Sequence, residues 1–164
     1  MKKVKLTQNQ YALVDNSDYE ELSKFKWYAK WDEKIKSFYA GRNVRNEDGK
    51  YCGQSIGMHR QILNPARNLL IDHVNHNTLD NRKSNLRLVS YAENQYNKRI
   101  SKRNTSGYKG VSWYEPRKNW AAHIRKDGVL KHLGYFLDPI DAAYSYNMAA
   151  ERLFGEYAFI NKLT

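Results

Sequence analysis

Residues 69–95 read LLIDHVNHNTLDNRKSNLRLVSYAENQ, the densest chemistry in the chain. An apolar run delivers Asp72 and His73 side by side into a loop of Asn, His, Thr and Asp from Asn75 to Asn81. Asn85 then precedes a second apolar run, Leu86 to Val89. Ser90-Tyr91-Ala92-Glu93 has the spacing of a capping box, whose outer side chains satisfy the first backbone amides of a helix, and Asn94 falls in that helix's first turn. Strand, loop, strand, helix is the reading. Asn and Asp also make ordinary surface turns, and in such a loop His73 would be a plain exposed imidazole. A surface turn has no need of Asp-His, Asn-Leu-Arg, a capping box and a helix Asn jointly and in this order, which favours a site.

These residues resemble the His-Asn-His (HNH) nucleases, the ββα-metal family, and within it the phage and homing branch that writes Asp-His early and Asn on the helix. The resemblance implies a metal-dependent DNA endonuclease in which His73 is the general base, Asp72 and Asn94 hold one divalent ion, and Asn85 braces the loop. Where zinc-tolerant members end the motif in His, this chain has Asn94, so oxygen ligands dominate and Mg²⁺ or Mn²⁺ is expected rather than Zn²⁺. The residue types suit the chemistry. An imidazole, with an ordinary pKa of about 6.5, can deprotonate water near neutral pH. Charge building on the phosphorus oxygens and the leaving 3′-oxygen calls for a hard cation held by few protein ligands. Adjacent residues of a regular strand face opposite ways, so Asp72 and His73 are expected to share one site only where the strand breaks into an irregular loop. His76 and Asp80 are candidate supporting groups, and His59, in Met58-His59-Arg60, is expected to be a satisfied structural histidine.

Around this motif, 164 residues allow one ordinary domain or two small ones. With 41% apolar and 27% charged residues and only 3 Pro and 9 Gly, a folded chain is expected. No eighteen apolar residues run together, and Met1-Lys2-Lys3 leads into Val4, Lys5, Leu6 and Thr7 rather than a signal-peptide stretch, so a cytoplasmic location with no membrane partner is expected. The single Cys52 excludes an internal disulfide and a Cys-x-x-Cys zinc pair, and is expected to be a small packing residue. Lys and Arg number 28 against 17 Asp and Glu, a formal +11, and the pI is about 9.6. That excess points to a polyanion, with double-stranded DNA preferred and no small-molecule substrate expected.

The charge concentrates between Gln95 and Gly134, where Lys98, Arg99, Lys102, Arg103, Lys109, Arg117, Lys118, Arg125, Lys126 and Lys131 face only Glu115 and Asp127. Its polar first part reads as a linker. Three β-like runs follow, 108–114, 119–126 and 130–136, separated by Pro116 and an Asp127-Gly128 turn. Asp138 then offers an N-cap, Pro139 the first helical position, and Gly155 a stop. The segment SGYKGVSWYEPRKNWAAHIRKDGVLKHLGYFLDPIDAAYSYNMAAERLFGEYAFIN, 106–161, resembles the DNA-binding domain of plant ethylene-response factors, the Apetala family. The signposts are Tyr108-Lys109-Gly110-Val111, Trp120 to Arg125, Leu133-Gly134-Tyr135-Phe136 and Ala142-Ala143. In that family the sheet lies in the major groove and the helix backs it. Alternation puts Trp120, Ala122 and Ile124 on an apolar face, with Asn119, Ala121, His123 and Arg125 on the other. The expected DNA contacts are Lys109, Ser112, Tyr114, Arg117, Asn119, His123, Arg125 and His132.

Upstream, residues 1–58 mix short β-like runs at 11–14, 27–31 and 38–44 with a helical patch at 18–25, a small α+β unit. The aromatics Trp27, Tyr28, Trp31 and Tyr39 are expected to be its core rather than a base-stacking platform. The fold class is α+β throughout. Residues 1–98 form the nuclease domain (1–58 the N-terminal unit, 59–98 the ββα-metal core), 99–106 a basic linker, and 107–164 a three-stranded antiparallel sheet on one helix. The function expected is a phage or homing HNH DNA endonuclease, nicking duplex DNA as a monomer. The competing reading is a DNA-binding regulator with an inactive nuclease fold, and an RNA-binding protein is the weaker third.

Overall fold

The computed structural model describes residues 1–101 and 103–164; Lys102, counted above in the basic stretch, lies outside the described residues. The chain divides into two compact units, Met1–Ser90 and Tyr91–Thr164. No helix among the described residues is long and apolar enough to cross a membrane.

The first unit opens with an antiparallel hairpin, β1 (Lys2–Lys5) on β2 (Tyr11–Val14), followed by helix α1 (Asn16–Ser23). A meander of β3 (Tyr28–Asp32), β4 (Ser37–Arg45) and β5 (Tyr51–Gly57) comes next, then the short helix α2 (Met58–Leu63). The unit closes on a second hairpin, β6 (Leu70–His73) paired with β7 (Leu86–Val89). Alternation on β1 and β2 sends Val4, Ala12 and Val14 inward, where they meet Leu22 of α1, Trp27, Ala29, Ala40 and Met58. The Trp27 indole N–H donates to the Leu22 carbonyl at 2.8 Å, satisfying the one polar atom of a buried ring. Of the four aromatics expected in this core only Trp27 reaches it. Trp31 remains 45% exposed and packs its edge on Phe38. Cys52 is exposed on β5 rather than packed, because the first five residues of that strand face solvent on both sides and offer nothing to pack against.

The second unit holds helix α3 (Tyr91–Tyr96), the meander β8 (Val111–Tyr114), β9 (Asn119–Lys126) and β10 (Val129–Phe136), and helix α4 (Pro139–Phe154). Asp138 caps α4 by accepting from the Ile140 amide at 2.6 Å, Pro139 is the first helical residue, and Gly155 ends it, as the sequence predicts. Val111 and Ala122 pack on Ala142 and Ala143 of α4, while Ile124 packs on Tyr146, Ala150 and Phe154. Gly110, at φ +76°, lies so close to the core that a Cβ there would sit 2.1 Å from Tyr146 Cδ2.

Compact packing divides the chain earlier than the expected boundary after residue 98. The Tyr96 ring stacks on Phe154 at 4.0 Å, and its hydroxyl donates to Asp127 at 3.1 Å. Residues of the basic linker stretch and its flank also make ordered contacts. Asn97 is buried, the Asn104 carboxamide donates to the Tyr108 carbonyl at 2.8 Å, and the Ser106 hydroxyl donates to the Val111 carbonyl at 2.8 Å.

Candidate active site and nucleic-acid interface

Strand β6 carries Asp72 and His73, and its register on β7 sets Asp72 opposite Arg87 and His73 opposite Leu86. The pairing is regular through His73, so the irregular loop begins after these residues rather than between them. Alternation accordingly gives the two side chains different neighbours. Arg87 donates to Asp72 Oδ2 through Nε at 3.0 Å and through a terminal nitrogen at 2.7 Å, and both side chains are nearly buried. The His73 ring, 4% exposed, meets His59 and Tyr39 with ring centroids 5.5 and 6.1 Å away.

Burial lowers the pKa of His73 below its ordinary value, and the nearby Asn81, Asp72 and Asp80 oppose that effect without cancelling it. His59 is pushed down further, to about 4, first by burial and then by the charges of His73 and Arg60. It is not the satisfied structural histidine expected from sequence: its Nδ1 is buried without a partner, as is Nε2 of His73. The helix α2 that carries His59 has no strong period in the sequence. One signal was available in Gly57, whose φ of −78° demands no glycine but where a Cβ would meet His59 Cε1 at 2.7 Å.

The loop from Val74 to Asn85 is braced from within. Asn85, 5% exposed, accepts from the Asn75 amide at 2.9 Å and donates to the Asp80 carbonyl at 2.8 Å. Asp80 is clamped by Arg82 at 2.7 and 2.6 Å and accepts from the Asn75 carboxamide at 3.0 Å; these hydrogen bonds, Arg82 foremost, hold its carboxyl below the usual range. The loop is also pinned to its surroundings. Thr78 donates to the Phe38 carbonyl at 2.6 Å, and Leu13 exchanges backbone hydrogen bonds of 2.8 Å with Leu79 and Asn81. His76 adopts φ +60° in the turn after His73, where its amide donates to the His73 carbonyl at 2.8 Å. Asn94, half-buried, stands on α3 of the second unit.

In that second unit, register gathers seven of the eight expected nucleic-acid contacts on or beside the sheet face turned away from α4. Ser112 pairs with Ala121, Tyr114 with Asn119, and His123 with His132, while Arg125 lies opposite Leu130. Arg117, in the turn between β8 and β9, lays its guanidinium 4.5 Å over the Tyr135 ring. Lys109 is the exception. Its ammonium donates inward to the carbonyls of Tyr96 at 2.7 Å and Lys98 at 2.8 Å, and burial lowers its pKa to about 8. Tyr135 is the residue that sequence reasoning missed. Strict alternation from His132 puts it on the apolar side, but a β-bulge between His132 and Gly134 shifts the phase and returns it to the outer face, 4.4 Å from His132 and 5.1 Å from Tyr114.

Residues 65–96 match the HNH endonuclease family. Over 160 residues, 93% of this chain and 75% of the relative, the sequence is 32% identical to an uncharacterized HNH endonuclease of Acanthamoeba polyphaga mimivirus. Over 58 residues, 35% of this chain and 48% of the relative, it is 41% identical to Protein 3.8 of Escherichia phage T7. No solved structure matches. None of these matches supports the likeness of residues 106–161 to ethylene-response factors. The strand, loop, strand and helix bearing Asp72, His73, Asn85 and Asn94 match the family, the mimivirus relative is similar over nearly the whole sequence, and the chain therefore belongs to the HNH endonuclease family.

Proposed function

We propose that the chain is a DNA endonuclease of the phage or homing type, hydrolysing phosphodiester bonds of double-stranded DNA inside the host cell with His73 as general base. The observation that carries this reading is the placement of His73 at the end of β6, its ring buried against His59 and Tyr39 where the braced loop leaves the strand. Burial lowers its pKa, which favours the neutral imidazole a general base requires. Asn85 holds the loop that leaves β6, and Arg87 fixes the Asp72 carboxylate. One nuclease motif per chain makes a monomer a nicking enzyme.

HNH nucleases are metal-dependent, and we assign Asp72 and Asn94 as the oxygen donors for one divalent ion. Among the described residues no cluster of three or more His, Cys, Asp or Glu could hold a metal. Oxygen donors of this kind suit Mg²⁺ or Mn²⁺, which keep much of their shell for water and phosphate oxygens. When bound, the ion supplies positive charge to the phosphoryl and leaving 3′-oxygens.

The outer face of β8–β10, with Ser112, Tyr114, Arg117, Asn119, His123, Arg125, His132 and Tyr135, is the surface we assign to the DNA major groove, which admits such an element. Lys109 is left out because its ammonium is spent on backbone carbonyls. One observation favours a second reading, a DNA-binding regulator with a silent nuclease fold: the proposed ligand Asp72 already shares an oxygen with Arg87. Incubation with supercoiled plasmid and Mg²⁺, separating nicked from linear product, decides between them. Nicking is expected; no cleavage with any divalent ion, beside tight DNA binding, selects the regulator.

A further inference from the structure

The outer half of the β4–β5 pair is a ribbon solvated on both faces, with every residue from Arg45 to Ser55 exposed. Two strands without an apolar face are marginal in water, so such a ribbon does little for the stability of the unit. Its tip is nonetheless ordered. The Asn46 amide donates to the Lys50 carbonyl and the Gly49 amide to the Asn46 carbonyl, both at 2.9 Å, while the Lys50 amide donates to Asn46 Oδ1 at 2.8 Å. The Arg45 side chain donates to the Gly49 carbonyl at 2.5 Å. The root is fixed by Arg42, whose guanidinium lies 4.0 Å over the Phe25 ring and donates to Gln61 at 2.6 Å.

Register ties this ribbon to the candidate active site. On β4, Phe38, Ala40 and Arg42 turn toward the core, so Tyr39, Gly41 and Asn43 share the opposite face. The Tyr39 ring stands 6.1 Å from the ring of His73 and 5.6 Å from that of His59. Asn43 follows on the same face, about 13 Å further along the strand, with Ser55 directly across on β5. Resting on the reading of His73 as the base of a DNA endonuclease, we propose that the β4–β5 ribbon is a second DNA-contacting element. It lies in a groove of the duplex beside the bond to be cut, with Asn43, Arg45, Lys50, Tyr51 and Ser55 as its contacts.

Three observations select duplex DNA as the occupant. A two-stranded β-ribbon is an element that the major groove admits. The side chains are carboxamide, hydroxyl, guanidinium and ammonium groups, the types that bond base edges and phosphates, and Tyr51, 55% exposed, is the one large apolar side chain exposed among them. Charge is also arranged for a polyanion. Arg45 and Lys50 flank the tip on either strand, and among the described residues the Lys50 ammonium has no ion-pair or hydrogen-bond partner. The two acids, Glu47 and Asp48, are confined to the turn between them, where a carboxylate can accept from a cytosine amino group but would be repelled by phosphate. A strand from another protein fits less well. Strand β5 is the edge of its sheet, but Gly53 at φ +79° and the register shift after Asn43 break the flat run that strand addition needs.

Cys52, the single cysteine of the chain, is exposed within the ribbon and reports on it directly. Full-length protein is alkylated with N-ethylmaleimide, alone and with linear plasmid DNA at low salt, and the modified fraction is read by mass spectrometry. With DNA at about ten times its Kd only about a tenth of the protein is free, so alkylation of Cys52 should slow by about 10-fold. A control thiol on α1, Glu20→Cys in a Cys52→Ser background, should react at the same rate with and without DNA. Lys50→Ala should raise KM for plasmid nicking by about 3- to 10-fold and flatten the salt dependence of binding by about 0.9 log units per tenfold salt, the share of one phosphate contact. Equal protection of the α1 thiol overturns the proposal, as does a wild-type salt slope in Lys50→Ala. DNA that is bound and nicked while Cys52 reacts freely removes the ribbon and leaves the nuclease reading standing. Cys52 protected in a protein that nicks nothing with any divalent ion leaves the DNA contact standing and removes the nuclease reading.

Discussion

His59 should make the first unit sensitive to acid, in a pH window that lies mostly above that of the carboxylates. Its pKa falls from 6.5 to about 4 on folding, because the ring is buried beside His73 and Arg60. Between those values the unfolded chain binds a proton at this ring that the folded chain refuses, so acidification favours the unfolded state. The stability contributed is present in full above pH 6.5, is lost progressively as pH falls to about 4, and changes no further below that. The gap corresponds to about 3 kcal/mol, a large share of the stability of a small unit. Urea unfolding followed by the fluorescence of buried Trp27 measures it across the window, with His59→Phe as comparison. The wild type should lose about 3 kcal/mol, and the variant should lose only the smaller share that His73 contributes in the same direction. Asp80 does not confuse the result. Its pKa is depressed, chiefly by hydrogen bonds from Arg82, so its contribution is present above 3.8 and is lost only as pH falls through the lower folded value. Equal pH dependence in wild type and His59→Phe would refute the reasoning.

Other outcomes follow from the same geometry. His73→Ala should lower plasmid nicking by about 10²- to 10⁴-fold while leaving DNA binding intact, and normal cutting by this variant removes His73 as base. Chelation should abolish cleavage, and Asp72→Ala should raise the Mg²⁺ concentration required or abolish cutting; full activity in excess chelator excludes the metal assignment. Gly110→Ala should destabilise the second unit by about 3 kcal/mol, from the left-handed backbone and from collision with Tyr146, and a loss under about 0.5 kcal/mol in thermal unfolding contradicts the packing described. Affinity for duplexes should fall by roughly 0.9 log units per tenfold salt for each phosphate contact. Arg125→Ala then shows either uniform weakening, the mark of a phosphate contact, or lost preference at one position, the mark of a base contact, and no effect on affinity or preference removes Arg125 from the interface.

Much of this was written locally. The runs Tyr11–Val14, Leu86–Val89 and Asn119–Lys126 are strands with the bounds their composition suggests, and Asp138, Pro139 and Gly155 delimit α4 as their conformational preferences require. These features depend on side-chain periods and capping chemistry within a few residues, which a linear reading can follow. The order Asp-His, Asn-Leu-Arg, Asn likewise identified the family before any coordinates. Long-range encounters decided the rest. Polar β1, exposed β5 and short α2 carry no period strong enough to see, yet α2 brings His59 against His73. Lys109 turns inward because the end of α3 presents it with bare carbonyls. A single bulge in β10 moves Tyr135 across the sheet. The placing of Asn81 waits on Thr78 reaching Phe38 and Leu13 gripping the loop, hydrogen bonds between segments far apart in the chain. A residue's own neighbours set its local backbone, but which groups lose water together, and so which nitrogens are left seeking partners, is settled only when distant segments pack.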